Sequence, residues 1–223
     1  MTKSLLFSAI AKFFLGVFLV GLLIFLPAGT LDFDGGWLLM GILFVPMFVA
    51  GLIMMAVNPD LLRKRLDAKE TQREQSLVVK LSGLMFIVGF VVAGLDHRYG
   101  WLELPWWVNA VAAEFFVIAY LLYAEVLREN TYLSRTIRVE EGQKVIDTGL
   151  YGIVRHPMYS VTLLLFLTMP LVLGSLIAFV VFLAYPVLIV KRLIHEEKVL
   201  EEGLEGYSDY KNRVKYRLIP FIW

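Results

Sequence analysis

The chain has 223 residues, 59% of them hydrophobic and 18% charged, with a formal net charge of +1 and no cysteine. Mean hydropathy is +0.72, and the apolar residues fall in blocks of bilayer length, so the sequence reads as an all-α integral membrane protein whose solvent is lipid. The near-zero charge, without a basic stripe interleaved with aromatics, sets nucleic acid aside. The lack of cysteine excludes disulfides, thiolate catalysis and zinc–cysteine sites, and His97, His156 and His195 show no metal-ligand spacing, so no metal is expected.

In chain order, four blocks read as single membrane spans: Leu5–Pro27, Gly36–Val57, Leu77–Leu95 and Pro105–Leu127. Pro27-Ala-Gly resembles a signal-peptide cleavage region, but further spans follow and the first block is read as retained. The fifth block, Val161–Val190, would make one helix of about 45 Å, too long for a bilayer without severe tilt. Pro170 and Gly174-Ser175 lie at its middle, so it is read as a tight hairpin of two short helices, giving about six crossings. A polar loop near Asn58–Gln75, a connector Glu125–Arg155 and a tail Lys191–Trp223 complete the chain. Within the connector, Leu133–Glu140, Glu141-Gly142-Gln143 and Lys144–Gly149 suggest short extended pieces joined by a turn.

Orientation follows from the basic residues, which accumulate in cytoplasmic loops. With the N-terminus inside, 20 Lys and Arg fall on the cytoplasmic side and only Arg98 falls outside. The hairpin is required for this count, since a single fifth helix would carry the basic tail across the membrane. Both termini and all three polar regions are therefore expected in the cytoplasm. Residues 1–127 hold the first four spans and 128–223 the connector, hairpin and tail, together one compact domain with no internal repeat.

Candidate chemistry concentrates at the two edges of the hairpin. Pro157 suits the first helical position, with His156 as N-cap and Arg155 before it. Free N–H groups at that helix start, together with Arg155, could dock a carboxylate; equally, Arg155, His156, Tyr151 and Tyr159 could be interfacial anchors. Across the hairpin, Glu196 and Glu197 project about 100° apart, so only one can face a given site. Such a carboxylate could hold ribose hydroxyls, an ammonium or a sulfonium, or it could be a solvated surface charge, as in an Arg192–Glu196 pair. In the tail, Tyr207 and Tyr210 could contact a nucleoside base, and Arg213 or Arg217 a carboxylate or an acidic lipid headgroup. Lys211 and Lys215 read better as membrane-surface anchors. Glu114 lies about 13 Å into the fourth span with Asn109 above it; ionisable groups at such depth are functional candidates, here for substrate, although a protonated, hydrogen-bonded Glu114 is the alternative.

Taken together, Gly149-Leu-Tyr151-Gly-Ile-Val-Arg155-His156-Pro157-Met-Tyr159, the hairpin, Glu196-Glu197, Tyr207-Ser-Asp-Tyr210 and Arg217-Leu-Ile-Pro220 resemble the isoprenylcysteine carboxyl methyltransferase family and the related membrane phospholipid methyltransferases. The resemblance covers roughly residues 125–220. It implies an integral membrane enzyme using S-adenosylmethionine, with region 128–223 binding the cofactor and carrying the chemistry. On that analogy Tyr151, His156, Pro157, Tyr159, Glu196, Glu197, Tyr207 and Tyr210 bind the cofactor. Arg155, Glu197 and Arg217 are the catalytic candidates, the arginines binding charged groups. Asn109 and Glu114 would meet a lipophilic or lipidated substrate that enters from the membrane lipids. The acceptor is expected to be a carboxylate; a phospholipid amine is the alternative, and there Glu197 is a possible base.

Two other classes compete. A membrane reductase of the sterol-reductase type would bind NADPH through a similar C-terminal region, but the glycine and glutamate that usually follow its tyrosine are missing, and this chain reads Tyr159-Ser-Val-Thr. A non-enzymatic transporter would give weight to Glu114 over the polar edges, and no internal repeat supports it. Oligomeric state is not legible in the spans.

Overall fold

The computed structural model describes residues 3–66, 73–133, 139 and 141–223. Nine α-helices are seen among them, with no strand: α1 (Lys3–Ala28), α2 (Asp34–Val57), α3 (Pro59–Leu66), α4 (Arg73–Tyr99), α5 (Trp106–Glu129), α6 (Pro157–Val172), α7 (Leu176–Phe182), α8 (Ala184–Gly203) and α9 (Tyr207–Arg213). Five stretches are long and apolar enough to cross a membrane: Leu5–Ala28, Asp34–Val57, Gln75–Tyr99, Trp106–Glu129 and Leu176–Gly203. Pro157–Val172 is a shorter apolar helix. The protein is thus a polytopic all-α membrane protein.

The expected hairpin is present, with arms of unequal length. α6 has 16 residues, about 24 Å, whereas α7 and α8 together take up 28 residues, about 42 Å. The chain reverses at Leu173–Ser175: Gly174 adopts φ +78°, and the Ser175 hydroxyl accepts from Ala178 N–H at 3.1 Å as the N-cap of α7. The short break between α7 and α8 falls at Leu183, three residues before Pro186, whose missing N–H leaves the Phe182 carbonyl without its helical partner.

α3 forms for local reasons. The Asn58 side chain accepts from Leu61 N–H at 3.1 Å; Pro59 occupies the first turn, Asp60 follows, and Arg63, Lys64 and Arg65 lie in the last turn. Leu61 and Leu62 are buried, which docks this short helix onto the bundle. Of the extended pieces expected in the connector, residues 134–138 and 140 lie outside the described residues, and 143–147 are irregular coil.

The end of the bundle around the hairpin turn is fastened by polar contacts. Asp96, buried at the end of α4, accepts from the Ser175 hydroxyl at 2.5 Å and from Leu102 N–H at 3.1 Å. Asn109 donates to the Val172 carbonyl at 3.2 Å, tying α5 to the end of α6. Close to this end, helices approach through glycine: a Cβ on Gly94 of α4 would lie 2.5 Å from the Ile24 carbonyl of α1. Substituting Gly94→Val should therefore force α1 from α4 and cost about 1–3 kcal/mol, read as a lowered unfolding temperature in detergent. Gly41→Ala, where nothing lies within 4 Å of the added Cβ, should leave that temperature unchanged.

Candidate active site

The two edges of the hairpin meet. Arg155, just before α6, donates from Nε to Glu197 Oε1 of α8 at 2.7 Å; both side chains are almost fully buried. His156 Nε2 lies 3.3 Å from the same oxygen. Arg217 Nε donates to the other oxygen, Oε2, at 2.9 Å. Arg155 Nη1 also donates to the carbonyls of Val214 and Lys215 at 2.8 and 2.9 Å. One carboxylate thus joins the start of α6, the far half of α8 and the C-terminal segment, and Nη1 of the buried Arg155 is met by two backbone oxygens.

The C-terminal segment also binds the main chain at the hairpin entrance. Arg155 N–H donates to Tyr216 O at 2.8 Å and His156 N–H to Arg217 O at 3.0 Å. His156 is the N-cap of α6 and Pro157 its first residue. The anion dock expected at this helix start is therefore altered: those two N–H groups are consumed by the tail, and the Arg155 charge is taken by Glu197.

A cavity of about 870 Å³ opens beside this clasp, lined by Tyr151, Arg155, His156, Tyr159, Glu196, Tyr207 and Tyr210 among others. Glu196 faces it and Glu197 is not in its lining, which resolves the adjacent pair: one carboxylate is presented to the cavity and the other is enclosed by cations. Tyr159 donates its hydroxyl proton to Glu196 Oε2 and accepts from Arg192 Nε at 3.1 Å. The Tyr159 hydroxyl thus touches both residues of the expected Arg192–Glu196 pair, at a site half-buried on the cavity wall. The His156 and Tyr159 rings stack with centroids 5.8 Å apart.

The tyrosines of the connector and tail form the outer wall. Tyr210 OH donates to Tyr151 O at 2.8 Å, and Asn130 Nδ2 donates to Tyr151 OH at 2.9 Å, joining α9, the 149–152 turn and the end of α5. Tyr207 is 3% exposed and lines the cavity, and its hydroxyl has no hydrogen-bond partner among the described residues. Burial, and then the charges of Glu197 and Glu196, push its phenol well above the ordinary value, so it stays a neutral O–H donor.

The remaining candidates lie elsewhere. Pro157 and Arg217 frame the clasp without lining the cavity. Asn109 sits at the hairpin turn, and Glu114 is exposed on a face of α5 shared with Val111, Phe115 and Ile118, all of them exposed; neither lines the cavity. Lining residues that the sequence reading did not single out include Lys12, Arg65, Tyr123 and Asn130. Lys12 offered one signal, a lysine well inside an apolar block.

Removing Glu197 leaves Arg155 buried without its counter-charge, so Glu197→Ala should destabilise the fold by about 3–5 kcal/mol, seen as a large drop in unfolding temperature. Glu196→Gln, at a residue half-buried on the cavity wall, should leave that temperature nearly unchanged and weaken ligand binding only.

Residues 110–202 match the isoprenylcysteine carboxyl methyltransferase (ICMT) family, a stretch running from α5 through the hairpin to the end of α8. Over 91 residues the chain is 31% identical to Delta(14)-sterol reductase TM7SF2 of Mus musculus, covering 40% of this chain and 22% of the reductase. The chain thus spans about a fifth of the length of that curated relative. The segment that holds the hairpin with Arg155 and Glu197 is thus similar to the isoprenylcysteine carboxyl methyltransferase family.

Proposed function

We propose that the protein transfers a methyl group from S-adenosylmethionine to a lipophilic acceptor, with a carboxylate as the receiving group. The observation that carries this reading is the continuity of one cavity: the same space that is walled by His156, Tyr159, Glu196 and Tyr207 is walled further on by Phe13, Met47 and Phe86 of α1, α2 and α4. A polar ligand and a hydrocarbon chain could therefore share one enclosure, reached by the first from the polar rim and by the second from the bilayer.

The polar wall fits the cofactor. Glu196 offers a carboxylate to hydroxyls or to a sulfonium charge, the Tyr207 hydroxyl, unpartnered among the described residues, offers a donor, and the stacked His156–Tyr159 pair offers a flat face. When bound, S-adenosylmethionine supplies an electrophilic methyl on a positive sulfur. The protein's part is to align the acceptor with that methyl and to exclude water, which the burial of His156 and Tyr207 serves.

A carboxylate acceptor needs no general base, because it is ionised at neutral pH. An amine would need one, and Glu197 is poorly suited, since both its oxygens are engaged by Arg155, His156 and Arg217. Charge points the same way. Lys12, Arg65, Lys144, Arg155 and Arg192 line the cavity against Glu196 as the one carboxylate among the described residues. The basic-residue asymmetry favours a cytoplasmic rim: Arg98, the exception, lies at the far end of α4, near the hairpin turn and away from the clasp.

One observation favours a second reading, NADPH-dependent reduction, namely the identity with the Delta(14)-sterol reductase. A thermal-shift assay on detergent-purified protein separates the two. At 100 times its Kd, a ligand should stabilise the fold by about 2.7 kcal/mol; S-adenosylhomocysteine is expected to do so and NADPH to leave the unfolding temperature unchanged. The reverse result defeats methyl transfer. Membranes incubated with methyl-labelled cofactor should then yield a lipid-soluble product that releases its label in mild base as an ester does; base-stable label would identify an amine acceptor.

A further inference from the structure

We propose that Arg65, on α3, is the residue that reads the acidic group of the acceptor, and that Lys12 and Tyr123 position it. This rests on the reading of the cavity as the meeting place of cofactor and lipophilic acceptor, but it concerns an element outside the matched segment 110–202.

Four observations converge on Arg65. Its side chain lines the cavity. It is held by an aromatic partner: Nη2 donates to the Tyr123 hydroxyl, and the guanidinium lies 5.6 Å from the centroid of the same ring. It has no carboxylate within ion-pair distance among the described residues, whereas Arg155, also on the cavity wall, is neutralised by Glu197. Finally, Arg65 shares the cavity wall with Tyr151 and with Glu196, the one lining carboxylate among the described residues, and the charges of both act at the Tyr151 hydroxyl.

Neighbouring groups fix α3 and add to its potential. Lys12 of α1 donates to the Leu66 carbonyl at 2.9 Å, tying the last residue of α3 to a membrane span and placing a second cation beside Arg65. Lys12 itself lines the cavity with Phe13 and Ala9, the side from which a hydrocarbon chain would enter. A guanidinium braced by one aromatic retains donors in fork geometry that suit a carboxylate better than an ammonium or a hydroxyl. An acceptor seated with its chain among α1, α2 and α4 and its carboxylate on Arg65 would present that carboxylate to the space that Tyr151 and Glu196 also line. α3 would thus set specificity, while the hairpin carries the cofactor.

The test is binding, in nanodiscs, of a dansyl-labelled undecanoate, competed by tetradecanoate, tetradecanol or tetradecyltrimethylammonium. The expected result is displacement by tetradecanoate at concentrations at least about tenfold lower than by the other two, and a loss of carboxylate affinity of about tenfold or more in Arg65→Gln. Arg65→Lys should restore part of that affinity, and Tyr123→Phe should lower it less than Arg65→Gln does. Affinity for S-adenosylhomocysteine should stay within about twofold of the parent in all three variants. Equal displacement by the three competitors, or unchanged carboxylate affinity in Arg65→Gln, overturns the proposal. Should Arg65→Gln fail to fold, the decision passes to Tyr123→Phe, where unchanged carboxylate affinity overturns it. Because the readout is carboxylate binding, it stands apart from the cofactor: failure of S-adenosylhomocysteine to bind the parent protein would count against methyl transfer while leaving Arg65 to be judged by the competition.

Discussion

The structure turns on one carboxylate. Glu197 is held between Arg155, His156 and Arg217, and with it the start of α6, the outer half of α8 and the C-terminal segment are drawn to a single point. Stripping Arg155 and Glu197 of water is costly, and an apolar cluster of the same size could be more stable. What the charges provide is geometry. Two oxygens with fixed lone-pair directions, met by two arginines and an imidazole, leave little freedom in how the helices approach, and the Arg155 contacts to the Val214 and Lys215 carbonyls extend that constraint into the tail.

From this constraint the division of labour in Glu196-Glu197 follows. Neighbours on a helix diverge by about 100°, so when Glu197 is turned into the clasp, Glu196 is turned toward Tyr159 and the cavity. The other end of the bundle is tied differently, by Asp96 on Ser175 and Asn109 on Val172. One end is closed by polar cross-links, and the other is held around its rim by the tail and left hollow within. A hollow at one end of a helix bundle, continuous with space among apolar helices, suits a reaction between a water-soluble donor and a membrane-borne acceptor. The short helix α3, tied in by Lys12 and Arg65, brings cations to the same hollow from the N-terminal half, so the four preceding spans contribute to the cavity as well as to anchorage.

Much of the fold was legible in local sequence. The long apolar blocks gave spans whose ends agree with the helices to within a few residues, because crossing a bilayer demands a helix of fixed length. Pro170 with Gly174-Ser175 marked the reversal, and Pro157 marked the start of α6. The signals for α3 were also present in Asn58-Pro59-Asp60 and Arg63-Lys-Arg65, but their eight residues fall within a polar loop, where a short helix depends on burying Leu61 and Leu62 against partners far away in sequence. For the site, residue types and order pointed to Arg155, His156, Tyr159 and Glu196. Sequence did not reveal that Glu197 is withdrawn from the cavity, or that Glu114 lies on an outer face of α5, because which side of a helix faces the bundle depends on its neighbours.

By itself, the sequence determined that this chain lives in a membrane, where it turns, and which polar residues lie at the edges of its hairpin, since these rest on hydropathy, helix rise and the backbone chemistry of proline and glycine. Only the tertiary structure decided which charges neutralise one another and which face a cavity. Arg155 and Glu197 are 42 positions apart, and Arg65 and Tyr123 are 58 apart. The energies that pair them, Coulomb attraction and desolvation, depend on distance and burial in space, on which separation along the chain is silent.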